Sequence, residues 1–173
     1  MINPGMDADI YEAFIEQLQR YVRERLIPAE DQLEELGRVP DDILDEMREM
    51  GLFGVTMPVE YGGAGMNVSQ YVGFIREIAY ASPAYRSIIS INKGMVCKSL
   101  VGFGTEQQKE HWLPKLATGA IAAFGLTEPD SGSDSAAMKT RAVRDGNGYV
   151  LNGTKRYITN APFADVILVM ART

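Results

Sequence analysis

The spacing at which hydrophobic residues recur changes near Ala120, and this limits the chain to a mainly helical part followed by a part built of strands. Before the change, Ile10, Phe14, Leu18, Tyr21, Val22 and Leu26 recur every three or four residues, which predicts one buried helix face ending before Pro28. Pro40, Asp41 and Asp42 open a second predicted helix, with Ile43, Leu44, Met47 and Met50 facing inward and Gly51 as its stop. Pro58 and the run Tyr61-Gly62-Gly63-Ala64-Gly65 read as a loop, and helices are expected over residues 68–80 and 84–101. Thr105 and Gln108 form a capping box for a fifth helix carrying Trp112 and Leu116. After Ala120 the period is 2. The turn pairs Asp145-Gly146-Asn147-Gly148 and Asn152-Gly153 predict a meander of antiparallel strands ending in residues 166–170, with that last strand at or near an open edge. The expected fold class is α+β: an all-α domain over residues 1–119, then the first part of an antiparallel β-domain over residues 120–173.

Composition narrows the function classes. With 46% hydrophobic residues, a chain of 173 residues can bury a real core. Seventeen Lys+Arg against twenty-three Asp+Glu give a net charge of -6, whereas nucleic-acid binding needs a basic surface to displace counterions. Cys97, the single cysteine, lies in an apolar helical run with Met95, Val96 and Leu100 and reads as a buried structural thiol. Asp7, Asp9 and Glu12 near the start, with no apolar segment between them, resemble neither a secretory signal nor a transit peptide. No apolar run reaches the length of a membrane span, so a cytoplasmic location is expected.

Two segments carry chemistry. In Phe124-Gly125-Leu126-Thr127-Glu128-Pro129-Asp130-Ser131-Gly132-Ser133 a strand ends, Pro129 turns the chain, and Gly132 lets the backbone approach a ligand. Its N–H groups and the hydroxyls of Thr127, Ser131 and Ser133 make a donor-rich loop, although a hydrogen-bonded strand-end turn is the plainer reading. In Lys155-Arg156-Tyr157-Ile158-Thr159-Asn160, a period of 2 sends Tyr157 and Thr159 to one face of a strand. An aromatic plane beside a hydroxyl suits a flat heterocycle; an ordinary half-buried strand would show the same residues. Glu128, before a proline in a tight turn, reads as structural, and Glu60 and Glu77 as solvated faces or surface pairs. His111 beside Trp112 reads as surface or packing, and Gly62-Gly63-Ala64-Gly65 as a turn, since it lacks the third glycine of a dinucleotide loop. No zinc-type spacing occurs, and no metal is expected.

Together these residues resemble the acyl-CoA dehydrogenase family. The pattern Gly125-Leu126-Thr127-Glu128-x-x-Ser131-Gly132-Ser133-Asp134-x-x-Ala137 fits the family signature. Met50-Gly51-Leu52-Phe53-Gly54, Pro58-x-x-Tyr61-Gly62-Gly63, Gly104-Thr105-Glu106-Gln107-Gln108-Lys109 and Leu151-Asn152-Gly153-Thr154-Lys155-x-Tyr157-Ile158-Thr159-Asn160 support it at family spacings. The resemblance implies FAD as cofactor, held by Phe124, Gly125, Leu126, Thr127, Gly132, Ser133, Tyr157, Ile158 and Thr159. By the same resemblance, the Leu126 and Thr127 N–H groups would meet the pyrimidine edge of the flavin, Thr159 its N5, and Tyr157 its ring face. Relatives often have Trp where this chain has Tyr157, and Tyr keeps a covering aromatic. Ser133 would lie where cofactor and thioester arm meet.

The reaction so implied removes the α-proton of an acyl-CoA with a glutamate while the β-hydrogen leaves as hydride to flavin N5. That base needs a desolvated carboxylate of raised pKa. In relatives it belongs to a C-terminal helical bundle, so it is expected beyond Thr173 and no catalytic residue in this chain. The family also implies an acyl-CoA substrate, an electron-transferring flavoprotein as acceptor and a homotetramer. Tyr85-Arg86-Ser87, with Ser90 one turn on, resembles the pocket of glutaryl-CoA dehydrogenases, where the Arg meets a distal carboxylate, though Ile91-Asn92-Lys93-Gly94 departs from that pattern. Arg86, Ser87, Ser90 and Ser133 are therefore the candidate substrate contacts, and an Arg bridging to a surface acid is the alternative. Other readings stay open: a dehydrogenase of glutaryl-CoA or another dicarboxylyl-CoA, a non-catalytic subunit that pairs with another chain, and an oxidase that returns electrons to oxygen.

Overall fold

The computed structural model describes residues 3–173 and divides the chain into two compact units, Met1–Ala120 and Ile121–Thr173. The first unit is helical. α1 (Ala8–Tyr21) starts where the Asp7 carboxylate accepts the Asp9 and Ile10 N–H groups, and it runs on through a π-helical turn, Val22–Leu26. Its inner face is Leu18, Tyr21, Val22 and Leu26; Ile10, expected on that stripe, stands 60% exposed. Phe14 stacks on Phe74 of α4 (Val68–Ile78), and Tyr11 Oη donates to Gln70 O across the same contact.

A short helix that the hydrophobic spacing does not announce, α2 (Glu30–Leu36), follows; its Glu30 carboxylate accepts the Ser82 N–H at 2.6 Å. α3 (Asp41–Glu49) buries Ile43 and Met47, and Gly51, at φ 68, closes it while the Leu52 N–H returns to Met47 O. The expected loop is present as a 3₁₀ turn, Val59–Tyr61. Gly63 packs so tightly there that a Cβ would stand 2.2 Å from Met57 O.

α4 opens with a reciprocal capping box between Asn67 and Gln70. α5 (Pro83–Ser90), a π-helical turn Ile91–Cys97 and α6 (Lys98–Phe103) form one continuous helical stretch, within which Tyr85 Oη donates to Leu26 O. α7 (Glu106–Ala117) has the predicted Thr105–Gln108 box and buries Leu113, Leu116 and Ala117. Cys97 is buried 3.7 Å from Met57 Sδ, and burial pushes its thiol up to about 12, in keeping with a packing role. Glu77, expected on a solvated face or in a surface pair, is itself buried and pairs at 2.9 Å with Arg76, whose side chain is exposed. No helix among the described residues is long and apolar enough to cross a membrane.

The second unit pairs its strands differently from the expected meander. β2 (Arg141–Asp145) and β3 (Gly148–Asn152) form the predicted hairpin, with Asp145 opposite Gly148 and Gly146 at φ 57 in the turn. β1 (Ala122–Gly125), however, pairs in parallel with β4 (Val166–Val169), Ala122 facing Val166 and Gly125 facing Val169. The long segment between them supplies the crossover that a parallel pair requires. Asn152-Gly153 makes no second hairpin, because Gly153 packs on Thr140, leaving 2.3 Å between a would-be Cβ and Thr140 Oγ1, and the chain leaves the ladder there.

Candidate functional site

β1 ends at Gly125, whose carbonyl accepts the Met170 N–H on the β4 side. Alternate residues of a strand send their backbone groups to opposite edges, so the Ala122 carbonyl and the Leu126 backbone face the other edge. Along that edge runs residues 155–160. Lys155 Nζ donates to Leu126 O at 3.0 Å, the Arg156 N–H to Thr127 O at 2.8 Å, and Asn160 Nδ2 to Ala122 O at 3.0 Å. The two segments singled out in the sequence thus form one structure.

Glu128 fastens it. The carboxylate accepts the Lys139 N–H at 2.6 Å, the Thr140 N–H at 2.9 Å and Lys155 Nζ at 2.8 Å, with its side chain 4% exposed. Lys155 foremost, then the Thr140 and Lys139 donors, hold its pKa far below the ordinary carboxylate range. Glu128 is therefore a permanently charged clamp, as its place before Pro129 suggested, and the opposite of a general base. Lys155 and Asn160 do most of the joining, yet sequence reasoning gave neither a role. Both lie in the quoted motif, and their spacing around Tyr157 was the available signal.

The turn beyond Glu128 closes on itself. Glu128 and Ser131 exchange backbone hydrogen bonds, and the Ser131 hydroxyl donates to Asp134 O at 2.8 Å. Ser131 is consequently buried and removed from the donor set that the sequence suggested, whereas Gly132 and Ser133 remain exposed. A Cβ on Gly132 would meet nothing within 4 Å, so that side of the backbone is open for approach. Among the described residues no backbone acceptor takes the Leu126 or Thr127 N–H.

Tyr157 and Thr159 do not share a strand face. Residues 153–160 are irregular, with Tyr157 at φ 58 and Asn160 at φ 69, because the anchors at Ala122, Leu126 and Thr127 bend the segment out of extended geometry. Left-handed backbone costs a non-glycine residue about 1–2 kcal/mol, which the buried Asn160 hydrogen bond offsets. Strain of this kind gathers at ligand sites. Tyr157 is 77% exposed, its ring held 4.5 Å from the Arg156 guanidinium; Thr159 is exposed beside it and Ile158 half-buried. An exposed aromatic ring, an exposed hydroxyl and open backbone donors in one small unit are what a planar, polar-edged heterocycle needs.

Of the candidate substrate residues, Arg86, Ser87 and Ser90 lie in the helical unit and Ser133 in the second. Arg86 Nη2 approaches Ser87 Oγ at 3.4 Å, and Ser90 Oγ lies 3.4 Å from Tyr71 Oη, so Arg86 and Ser90 each find a different neighbour. His111 is exposed, edge-on to Trp112 and 2.9 Å from Lys115 Nζ, in keeping with a surface role.

Comparison with known proteins matches residues 9–120 to the acyl-CoA dehydrogenase N-terminal domain and residues 123–173 to the acyl-CoA dehydrogenase middle domain. An acyl-CoA dehydrogenase of Bacillus subtilis is 37% identical over 154 residues, 88% of this chain and 41% of that protein. A glutaryl-CoA dehydrogenase from Mycobacterium smegmatis, solved in complex with FADH2, superimposes with a TM-score of 0.86 at 38% identity, over 96% of this chain and 43% of that one. Butyryl-CoA dehydrogenase from Megasphaera elsdenii gives a TM-score of 0.86 at 31% identity, over 95% of this chain and 44% of that one. The chain spans less than half the length of each of these proteins.

Proposed function

Because the chain belongs to the acyl-CoA dehydrogenase family, we propose that it forms the N-terminal and part of the middle region of an FAD-dependent acyl-CoA dehydrogenase. The observation that carries this reading is the joining of the strand-end loop to residues 155–160 through Lys155, Arg156 and Asn160. Leu126 and Thr127 would offer their N–H groups to the pyrimidine edge of the flavin, and Gly132 and Ser133 would border it without obstructing it. Thr159 would donate its hydroxyl at N5, and Tyr157 would cover one face of the ring and keep water from it. FAD, when bound, would supply the acceptor for a hydride from the β-carbon of an acyl thioester.

Proton abstraction is a separate requirement. The base must hold an unpaired carboxylate of raised pKa at the α-carbon, and Glu128, saturated by three donors, does the reverse. The reading therefore assigns the base to sequence outside this chain. An electron-transferring flavoprotein as acceptor and a homotetrameric assembly follow from the family resemblance alone. Anaerobic addition of acyl-CoA to the intact gene product tests the proposal: its flavin absorption should bleach, and a flavin band unchanged by acyl-CoAs of every chain length would refute it.

A further inference from the structure

In an extended strand neighbouring side chains point to opposite faces, so Arg156 and Tyr157 would stand apart. Here they meet. Tyr157 adopts φ 58, and its ring centre lies 4.5 Å from the carbon of the Arg156 guanidinium. The segment is pinned on both sides of the pair: the Arg156 N–H donates to Thr127 O at 2.8 Å, and the buried Asn160 donates to Ala122 O at 3.0 Å. A sparsely populated backbone conformation thus accompanies a cation seated on an aromatic ring, whose quadrupole attracts it.

The charge of that cation is not neutralised locally. Among the described residues, the neighbouring Lys155 pairs with Glu128 at 2.8 Å and Lys139 with Asp130 at 2.8 Å, whereas Arg156 forms no ion pair. Tyr157 is 77% exposed even with the guanidinium in place, so ring surface remains for a ligand.

A flavin ring system is neutral when oxidised. Uptake of a hydride forms one bond at N5, brings two electrons with the hydrogen, and leaves one negative charge spread over the pyrimidine edge. A fixed positive charge nearby stabilises that product and not the neutral starting form. We propose that Arg156 is a positioning residue that raises the reduction potential of the bound flavin, acting from the Tyr157 ring and without touching the reacting atoms. This rests on the reading of the second unit as a flavin site. Solvent screens an exposed guanidinium, so the effect is a modest shift.

Spectroelectrochemical titration of the intact, FAD-loaded gene product reads the two-electron midpoint potential. Arg156→Met keeps an apolar stem against the ring and removes the charge. It should lower the equilibrium constant for reduction at least about threefold, which is about 15 mV where a tenfold change is about 30 mV. Arg156→Lys should keep the parent potential, and Arg144→Gln, which removes the same charge from β2, should not lower it. Together these outcomes separate a placed charge from packing on the ring and from the net charge of the protein. With FAD bound, an unchanged potential in Arg156→Met, or a fall of equal size in Arg156→Lys or Arg144→Gln, overturns the inference while the flavin reading stands. An intact gene product that takes up no FAD overturns both.

Discussion

The Glu128 carboxylate accepts three hydrogen bonds while almost entirely out of solvent, and this makes the second unit sensitive to acid. Its pKa in the folded chain lies far below the ordinary 4.5, so the unfolded chain takes up the proton first as pH falls. The stabilisation it contributes is complete above about pH 4.5 and is lost progressively below that value. Urea unfolding measured from pH 7 downwards should show this loss in the parent, and Glu128→Gln should lower stability at neutral pH while flattening the acid limb. Asn160→Ala removes the hydrogen bond to Ala122 O from a buried site and should cost about 1–3 kcal/mol in the same measurement. Gly132→Val separates binding from folding. With nothing within 4 Å of its Cβ position, the substitution should leave the unfolding midpoint unchanged. It should nevertheless weaken FAD retention by about tenfold or more, read by equilibrium dialysis, and unaltered retention would remove Gly132 from the cofactor site.

At the scale of elements, the helices were legible where their ends were. The α7 box was readable because Thr105 and Gln108 stand at the required spacing, and Thr105→Ala should cost about 1 kcal/mol in chemical denaturation. α2 escaped notice because it buries only Leu33 and has no side-chain cap, so neither a stripe nor a start signal marks it. In the second unit, β3 is exposed along its whole length and, among the described residues, pairs only with β2, whose other edge is held at Arg172. An outer strand of that kind is weakly held, so hydrogen exchange should reach the amides of β3 well before those of α4, which buries Phe74 and Ile78 completely. The bend at Tyr157 was not legible, since alternating residues at 157 and 159 imitate a strand. Only the anchors at Ala122, Leu126 and Thr127 force left-handed backbone on a tyrosine.

Across the whole molecule, the change of period near Ala120 announces the α+β class, and the compact units of the structure are Met1–Ala120 and Ile121–Thr173. The parallel pairing of β1 with β4 could not be read, because turn residues report only neighbouring strands whereas Ala122 meets Val166 across the intervening hairpin. The candidate site was legible as residue types. Its assembly was not, since Lys155 and Asn160 act through contacts with distant carbonyls. If this assembly holds a flavin, the FAD released on denaturing the purified intact gene product should be close to stoichiometric with the chain, and reduced in Lys155→Met. Absence of flavin in the purified protein, persisting after incubation with excess FAD, would contradict it.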